Sequence, residues 1–209
     1  MAAAKPAPKL TVVSAGLSVP SSTRLLADRL AAATAAALRG HGVEPEVQVV
    51  ELREHARDLA DHLVTGFPNG SLRTAIDTVV GADGLIAVTP VFSASYSGLF
   101  KTFFDVLDED ALAGTPVLLG ATAGTARHSL AMEYALRPLF AYLRAAVVPT
   151  GVVAASEDWA GAGTGQALAG RVDRAAGELA GLMAGRPAPV RPADPFAGTP
   201  SFEELLEGS

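Results

Sequence analysis

Short aliphatic runs alternate along this chain with longer Ala- and Leu-rich stretches, and few folds accept that pattern. Runs of four to eight apolar residues read as buried strands, and the stretches between them carry the three-to-four-residue spacing of amphipathic helices. Strands are expected over 10–13, 46–50, 84–88, 116–120 and 147–153. Helices are expected over 23–39, 71–80, 96–107, 127–143 and 165–184. Strict β-α alternation implies an α/β fold: a doubly wound, five-stranded parallel sheet with helices on both faces. Strand order 2-1-3-4-5 would put a switch point, and with it a ligand, between the first and third strands.

A length of 209 residues suits one such domain, expected over 1–185. The segment 52–68 breaks the alternation with Arg53, His55, Arg57, Asp58, Asp61 and His62, and reads as a partly helical excursion over the surface. From Arg186 onward five prolines precede the acidic stretch from Phe202 to Glu207, so 186–209 is expected to be a flexible tail.

Composition excludes several kinds of chemistry. There is no cysteine, which removes thiol catalysis, iron–sulfur ligation, Cys-based zinc sites and disulfides. His41, His55, His62 and His128 show no HxxxH or HxxEH spacing, so no metal is expected. A net charge of −6 with singly scattered basic residues argues against nucleic acid or an anionic membrane as partner. No run of about 18 apolar residues spans a bilayer, and the opening residues lack a secretory h-region, so a cytoplasmic location is expected.

Three loops follow expected strands and are rich in small and hydroxyl residues. The first runs Ser14, Ala15, Gly16, Leu17, Ser18, Val19, Pro20, Ser21, Ser22, Thr23 and opens a helix. Hydroxyls, a glycine and the free N–H groups of a helix start suit a phosphate dianion, and Arg24 just beyond could add charge. It matches neither GxxxxGK[ST] nor GxGxxG, and a plain Ser-capped turn would use only one of those hydroxyls. The second runs Thr89, Pro90, Val91, Phe92, Ser93, Ala94, Ser95, Tyr96, Ser97, Gly98, where Phe92 and Tyr96 could lie along a flat ring. The third, Gly120, Ala121, Thr122, Ala123, Gly124, Thr125, lets a ring edge approach closely. Each alone is compatible with ordinary βα punctuation; their placement after strands one, three and four is what makes them a candidate site.

These stretches, with Tyr134-Ala135-Leu136-Arg137-Pro138-Leu139, resemble the flavodoxin-like NAD(P)H-dependent FMN reductases, in the branch that feeds luciferase-like or alkanesulfonate monooxygenases. The resemblance covers about Leu10 to Trp159. It implies hydride transfer from NADPH or NADH to FMN, a homodimer or homotetramer, and delivery of reduced flavin to a flavin-dependent monooxygenase. It implies that Ser14, Gly16, Ser18, Ser21, Ser22 and Thr23 hold the FMN phosphate. Pro90, Val91, Phe92, Ser93, Ala94 and Ser95 would then lie beside the isoalloxazine, and Thr122, Ala123, Gly124 and Thr125 along its other edge. The family often has a basic residue where this chain has Ser18 and Ser22, and Tyr where it has Phe92. Two other readings stay open on the residues alone: a flavodoxin-like electron carrier, and a quinone or azo reductase that retains FMN. Tyr134 falls where two-component members carry a π-bulge at a subunit interface, although a plain helical Tyr reads equally well there. Lys101 and Asp105 read as an ion pair beside a hydrophobic dimer face of Phe100, Phe103 and Phe104.

Overall fold

Strand β1 (Lys9–Ser14) is buried along all but its first residue, because it lies inside the sheet with a partner on each side and a helical layer on each face. The computed structural model describes residues 6–159 and 162–185; the expected tail, 186–209, lies outside the described residues. Strand β2 (Glu46–Glu51) pairs in parallel with one edge of β1, and β3 (Gly84–Phe92) with the other. Strand β5 (Pro116–Ala123) pairs in parallel with β3 and carries β6 (Ala146–Val147) and β7 (Val152–Ala155) at its outer edge. The expected doubly wound, flavodoxin-like order is therefore realised, with β6 and β7 sharing the fifth position. A two-residue strand, β4 (Ser95–Tyr96), folds back antiparallel on the end of β3.

Helix α1 (Ser22–Gly40) and helix α6 (Ala162–Gly185) cover one face of the sheet. Leu26, Leu30, Thr34 and Leu38, four apart, put one stripe of α1 into that core. The other face is covered by α2 (Ala56–Thr65), α3 (Gly70–Val80), α4 (Gly98–Asp105) and α5 (Arg137–Tyr142). Of the excursion after β2, a 3₁₀ turn over Leu52–His55 buries Leu52 and α2 buries only Leu59, so the segment lies on the surface as its charges require. Among the described residues, no helix is long and apolar enough to cross a membrane.

Three expected elements differ. The fifth strand is not continuous over 147–153: β6 pairs with Pro116 and Val117, β7 begins opposite Gly120, and the ladder breaks between them at Pro149, which has no N–H to give. The break is satisfied by side chains. The Arg137 guanidinium donates to the carbonyls of Val148 (2.9 Å) and Pro149, while the Thr150 N–H and hydroxyl donate to Glu178 at 2.8 and 2.7 Å. Replacing Arg137 with Ala should therefore cost about 1–2 kcal/mol, the penalty for carbonyls left partly unpaired; urea denaturation showing no change would refute this role.

The helix expected over 127–143 is likewise segmented. A 3₁₀ turn covers Ala126–Ser129, a π turn Met132–Leu136, and α5 follows. Arg137 N–H reaches five residues back to Met132 O, and Pro138 next to it can supply no donor to Tyr134 O, so the wider turn accommodates the proline ring that a regular helix would push into that carbonyl. Tyr134 sits at the centre of this π turn and is 80% exposed.

The helix expected from 96 starts instead at Gly98, since Ser95 and Tyr96 form β4. Lys101 and Asp105 do pair across one turn. Phe100, Phe103 and Phe104, however, form no free face: they are buried in the chain's own core, because α4 packs its aromatic stripe against the sheet and Phe140.

Candidate functional site

All three loops leave the sheet at the same end, from adjacent strands. Ser14 lies opposite Val88, Thr89 opposite Ala121, and Pro90 opposite Thr122, so the loops begin side by side. Helix α1 leaves β1 toward one face and α4 leaves β3 toward the other, which opens a crevice between them.

The first loop is held in a tight reversal. Ala15 N–H donates to Val88 O at 2.9 Å, carrying the β1–β3 pairing one residue beyond the strand. Gly16 follows, and a Cβ there would fall 2.0 Å from Ser21 Oγ, so only glycine lets the two limbs of the loop close on each other. The Val19–Pro20 peptide is cis. Ser21 is the N-cap of α1, its Oγ accepting from Arg24 N–H at 3.1 Å, while Ser18 Oγ donates to Pro20 O at 2.9 Å. The N–H groups of Ser22 and Thr23 are among the helix-start donors that have no intrahelical acceptor. Ser22 is exposed; Ser14 Oγ is buried and without a partner among the described residues. An unpaired buried hydroxyl and unspent amides beside a glycine-enabled turn fit a tetrahedral anion.

Thr23 and Thr122, expected at the phosphate and at the ring edge, meet each other. Both are buried, at 3% and 5% exposure, and their hydroxyls bond to each other at 2.7 Å beneath the first turn of α1. The pair ties the first loop to the third, so each hydroxyl already has a partner. Thr122→Val should cost about 1–2 kcal/mol by leaving Thr23 Oγ unpaired, whereas Thr23→Val with Thr122→Val should cost less than the two single changes added together. A double-mutant cycle by urea denaturation tests this; simple additivity would refute the pairing.

The second loop is a hairpin. Val91 pairs with Tyr96 and Phe92 with Ser95, leaving Ser93 and Ala94 as a two-residue turn with φ of +49° and +66°. Such turns ordinarily take Asn-Gly, so two residues with Cβ atoms hold strain here. The base compensates: Ser97 N–H donates to Thr89 Oγ1 at 3.1 Å, that hydroxyl donates to Pro90 O at 2.9 Å, and Ser97 Oγ caps α4 at Phe100 N–H. Phe92, Ser93 and Ala94 are exposed at the tip, while Ser95 is half-buried; Pro90 is buried and Val91 half-buried at the base. In the third loop Ala123 is half-buried, and Gly124 and Thr125 are exposed.

Arg24 does not stand free beside the phosphate loop. It donates to Asp28 at 2.7 Å and to Glu51, which also holds Arg53 at 3.2 Å. The hydrogen bond to Asp28 foremost, then Glu51, raises its pKa against the effect of burial, so it stays fully charged. This network walls a hollow of about 270 Å³ beside Ser18 and Ser21. Its Glu51 lies 27 residues from Arg24, and the Thr23–Thr122 pair spans 99; no local sequence signal could mark either. A larger hollow, about 620 Å³, lies between α4 and the π turn, with Tyr96, Tyr134 and Tyr142 on its wall.

Known proteins resemble this chain in sequence and in fold. The profile of the family described as NADPH-dependent FMN reductase matches residues 8–160. An FMN reductase (NADPH) of Pseudomonas aeruginosa is 36% identical over 179 residues, which is 85% of this chain and 94% of that protein. The NADH-dependent FMN reductase SfnF of Pseudomonas fluorescens is 38% identical over 152 residues, 73% of this chain and 79% of that one. Among solved structures, an oxidoreductase from Corynebacterium diphtheriae superposes with a TM-score of 0.84 at 49% identity, covering 87% of this chain and 99% of its own.

Proposed function

Because this chain belongs to the family of NADPH-dependent FMN reductases, we propose that it passes a hydride from NADPH or NADH to FMN and releases the reduced flavin to a partner monooxygenase. The observation that carries the reading is the convergence of three loops around a helix start that has unspent donors.

Flavin supplies the hydride acceptor and electron sink, so little acid–base work falls to the protein. On this reading the Ser22 and Thr23 amides, with the Ser14, Ser21 and Ser22 hydroxyls and the positive end of α1, bind the phosphate. Gly16 brings the loop close enough to do so, and Ser18 closes its rim. Pro90, Val91 and Phe92 support one side of the ring system, and the amides of Ser93, Ala94 and Ser95 face the edge that gains negative charge on reduction. Ala123, Gly124 and Thr125 line the other edge, with Thr122 fixing Thr23 beneath. The crevice then orients the nicotinamide against the ring, which is where most of the rate advantage arises.

The protein acts in the cytoplasm as a homodimer or homotetramer. Exposed Tyr134 and Tyr142, on the wall of the larger hollow, support a face covered by another copy. A steady-state assay with both nucleotides and with FMN, FAD and riboflavin tests the activity. Preference for FMN over riboflavin is expected; no loss of the nicotinamide absorbance band with any acceptor would overturn the reading.

A further inference from the structure

A nicotinamide nucleotide brings at least two phosphate charges to a chain whose own net charge is −6, so it needs a local cation at the crevice. The arginines around the first loop are committed. Arg24 pairs with Asp28 and Glu51, Arg53 pairs with Glu51, and the Arg29 guanidinium lies over the Trp159 ring at 4.8 Å. The third loop ends differently. It runs straight into the 3₁₀ turn Ala126–Ser129, where Arg127 and His128 are exposed and have no side-chain partner among the described residues. Between Thr122 and Met132 there is no carboxylate, and the next one, Glu133, is held by Arg137 at 2.9 Å. The backbone of the turn is fixed, since Thr125 Oγ1 accepts from Arg127 N–H at 3.0 Å. The turn carries a guanidinium without a side-chain partner two residues, at most roughly 7 Å of backbone, beyond the loop assigned to the flavin edge. That is within reach of phosphates trailing a stacked nicotinamide.

We infer that Arg127, with His128 beside it, binds a phosphate of the incoming nicotinamide nucleotide. The inference rests on the flavin being held by the three loops as proposed above. One charge-assisted contact at an exposed site accounts for up to about a fivefold change in affinity. In Arg127→Gln the KM for NADPH should rise about three- to fivefold, with kcat and the FMN affinity from fluorescence quenching unchanged. Arg127→Lys should restore most of the loss, and added salt should narrow the gap between variants. Arg174→Gln, which removes an equal charge from the exposed face of α6, should leave KM unaltered. An equal rise for NADH assigns the contact to the pyrophosphate bridge, and a rise confined to NADPH assigns it to the 2′-phosphate. Unchanged KM for both nucleotides in an active Arg127→Gln enzyme would overturn the inference. Failure of the unaltered protein to oxidise either nucleotide would instead overturn the reductase reading.

Discussion

A Gly16→Val chain will bind FMN about 100-fold more weakly than the unaltered protein while holding riboflavin nearly as well. The added Cβ would fall 2.0 Å from Ser21 Oγ, 3.1 Å from Ser21 Cβ and 3.2 Å from Thr23 Cβ. Rotating the Ser21 hydroxyl away removes only the first clash, and it surrenders the cap on Arg24 N–H. The two carbon contacts remain, and the γ-methyl groups of valine add more. The loop must open, which moves the Ser22 and Thr23 amides off the positions where they converge. Several charge-assisted bonds to one phosphate weaken together, so the loss exceeds that of any single hydroxyl. Overpacking should also cost about 1–3 kcal/mol of stability, measurable by urea denaturation. Titration by flavin fluorescence quenching with FMN and riboflavin separates the two effects: parallel weakening of both flavins would mean the loop does not read phosphate.

Much of this site is legible before any coordinates are known, for a physical reason. Parallel strands buried on both faces must be near-continuous aliphatic runs, and Leu10 to Val13, Leu85 to Val88 and Val117 to Leu119 are such runs. Once their order is set, the loops after them must share one end of the sheet. Side chains that act across the fold are not legible in this way. Thr23 and Thr122 each read as an ordinary loop hydroxyl, and only the packing of α1 over β5 brings them together. The same holds for the fifth strand. Pro149 is visible in the sequence as a breaker, but the Arg137 and Glu178 side chains that make the break tolerable come from two separate helices.

The hairpin tip is illegible for a second reason. Ser93-Ala94 carries no turn signal of the Asn-Gly kind, yet both residues take positive φ. The pairings of Val91 with Tyr96 and of Phe92 with Ser95, with the Thr89–Ser97 bond below, over-determine the turn. Strain of this sort persists where the surroundings enforce it. Here it falls on two exposed residues at the tip of the hairpin.

Phe100→Ala is expected to destabilise the protein by about 3–5 kcal/mol, the range for truncating a fully buried aromatic ring. Phe100 is 0% exposed, and its ring centroid lies 4.7 Å from that of Phe104, 6.2 Å from Phe140 and 6.0 Å from Tyr96. These partners come from α4 itself, from α5 and from β4, so one ring holds three elements at the same point. Helix α4 has eight residues, and its stability must come from tertiary packing rather than from its own backbone. Collapse around the missing ring is restrained by the sheet beneath, which favours a cavity and the upper half of the range. A loss of this size takes about a fifth or more of the 5–15 kcal/mol that typically separates folded from unfolded domains. It should also loosen Tyr96 at the base of the hairpin, so FMN affinity should fall even where the protein remains folded. Urea denaturation followed by circular dichroism gives the first quantity and quenching titration the second. A cost below about 1.5 kcal/mol, the level of a well-tolerated core swap, would mean that Phe104 and Phe140 close the gap and that the hairpin stands without α4 behind it.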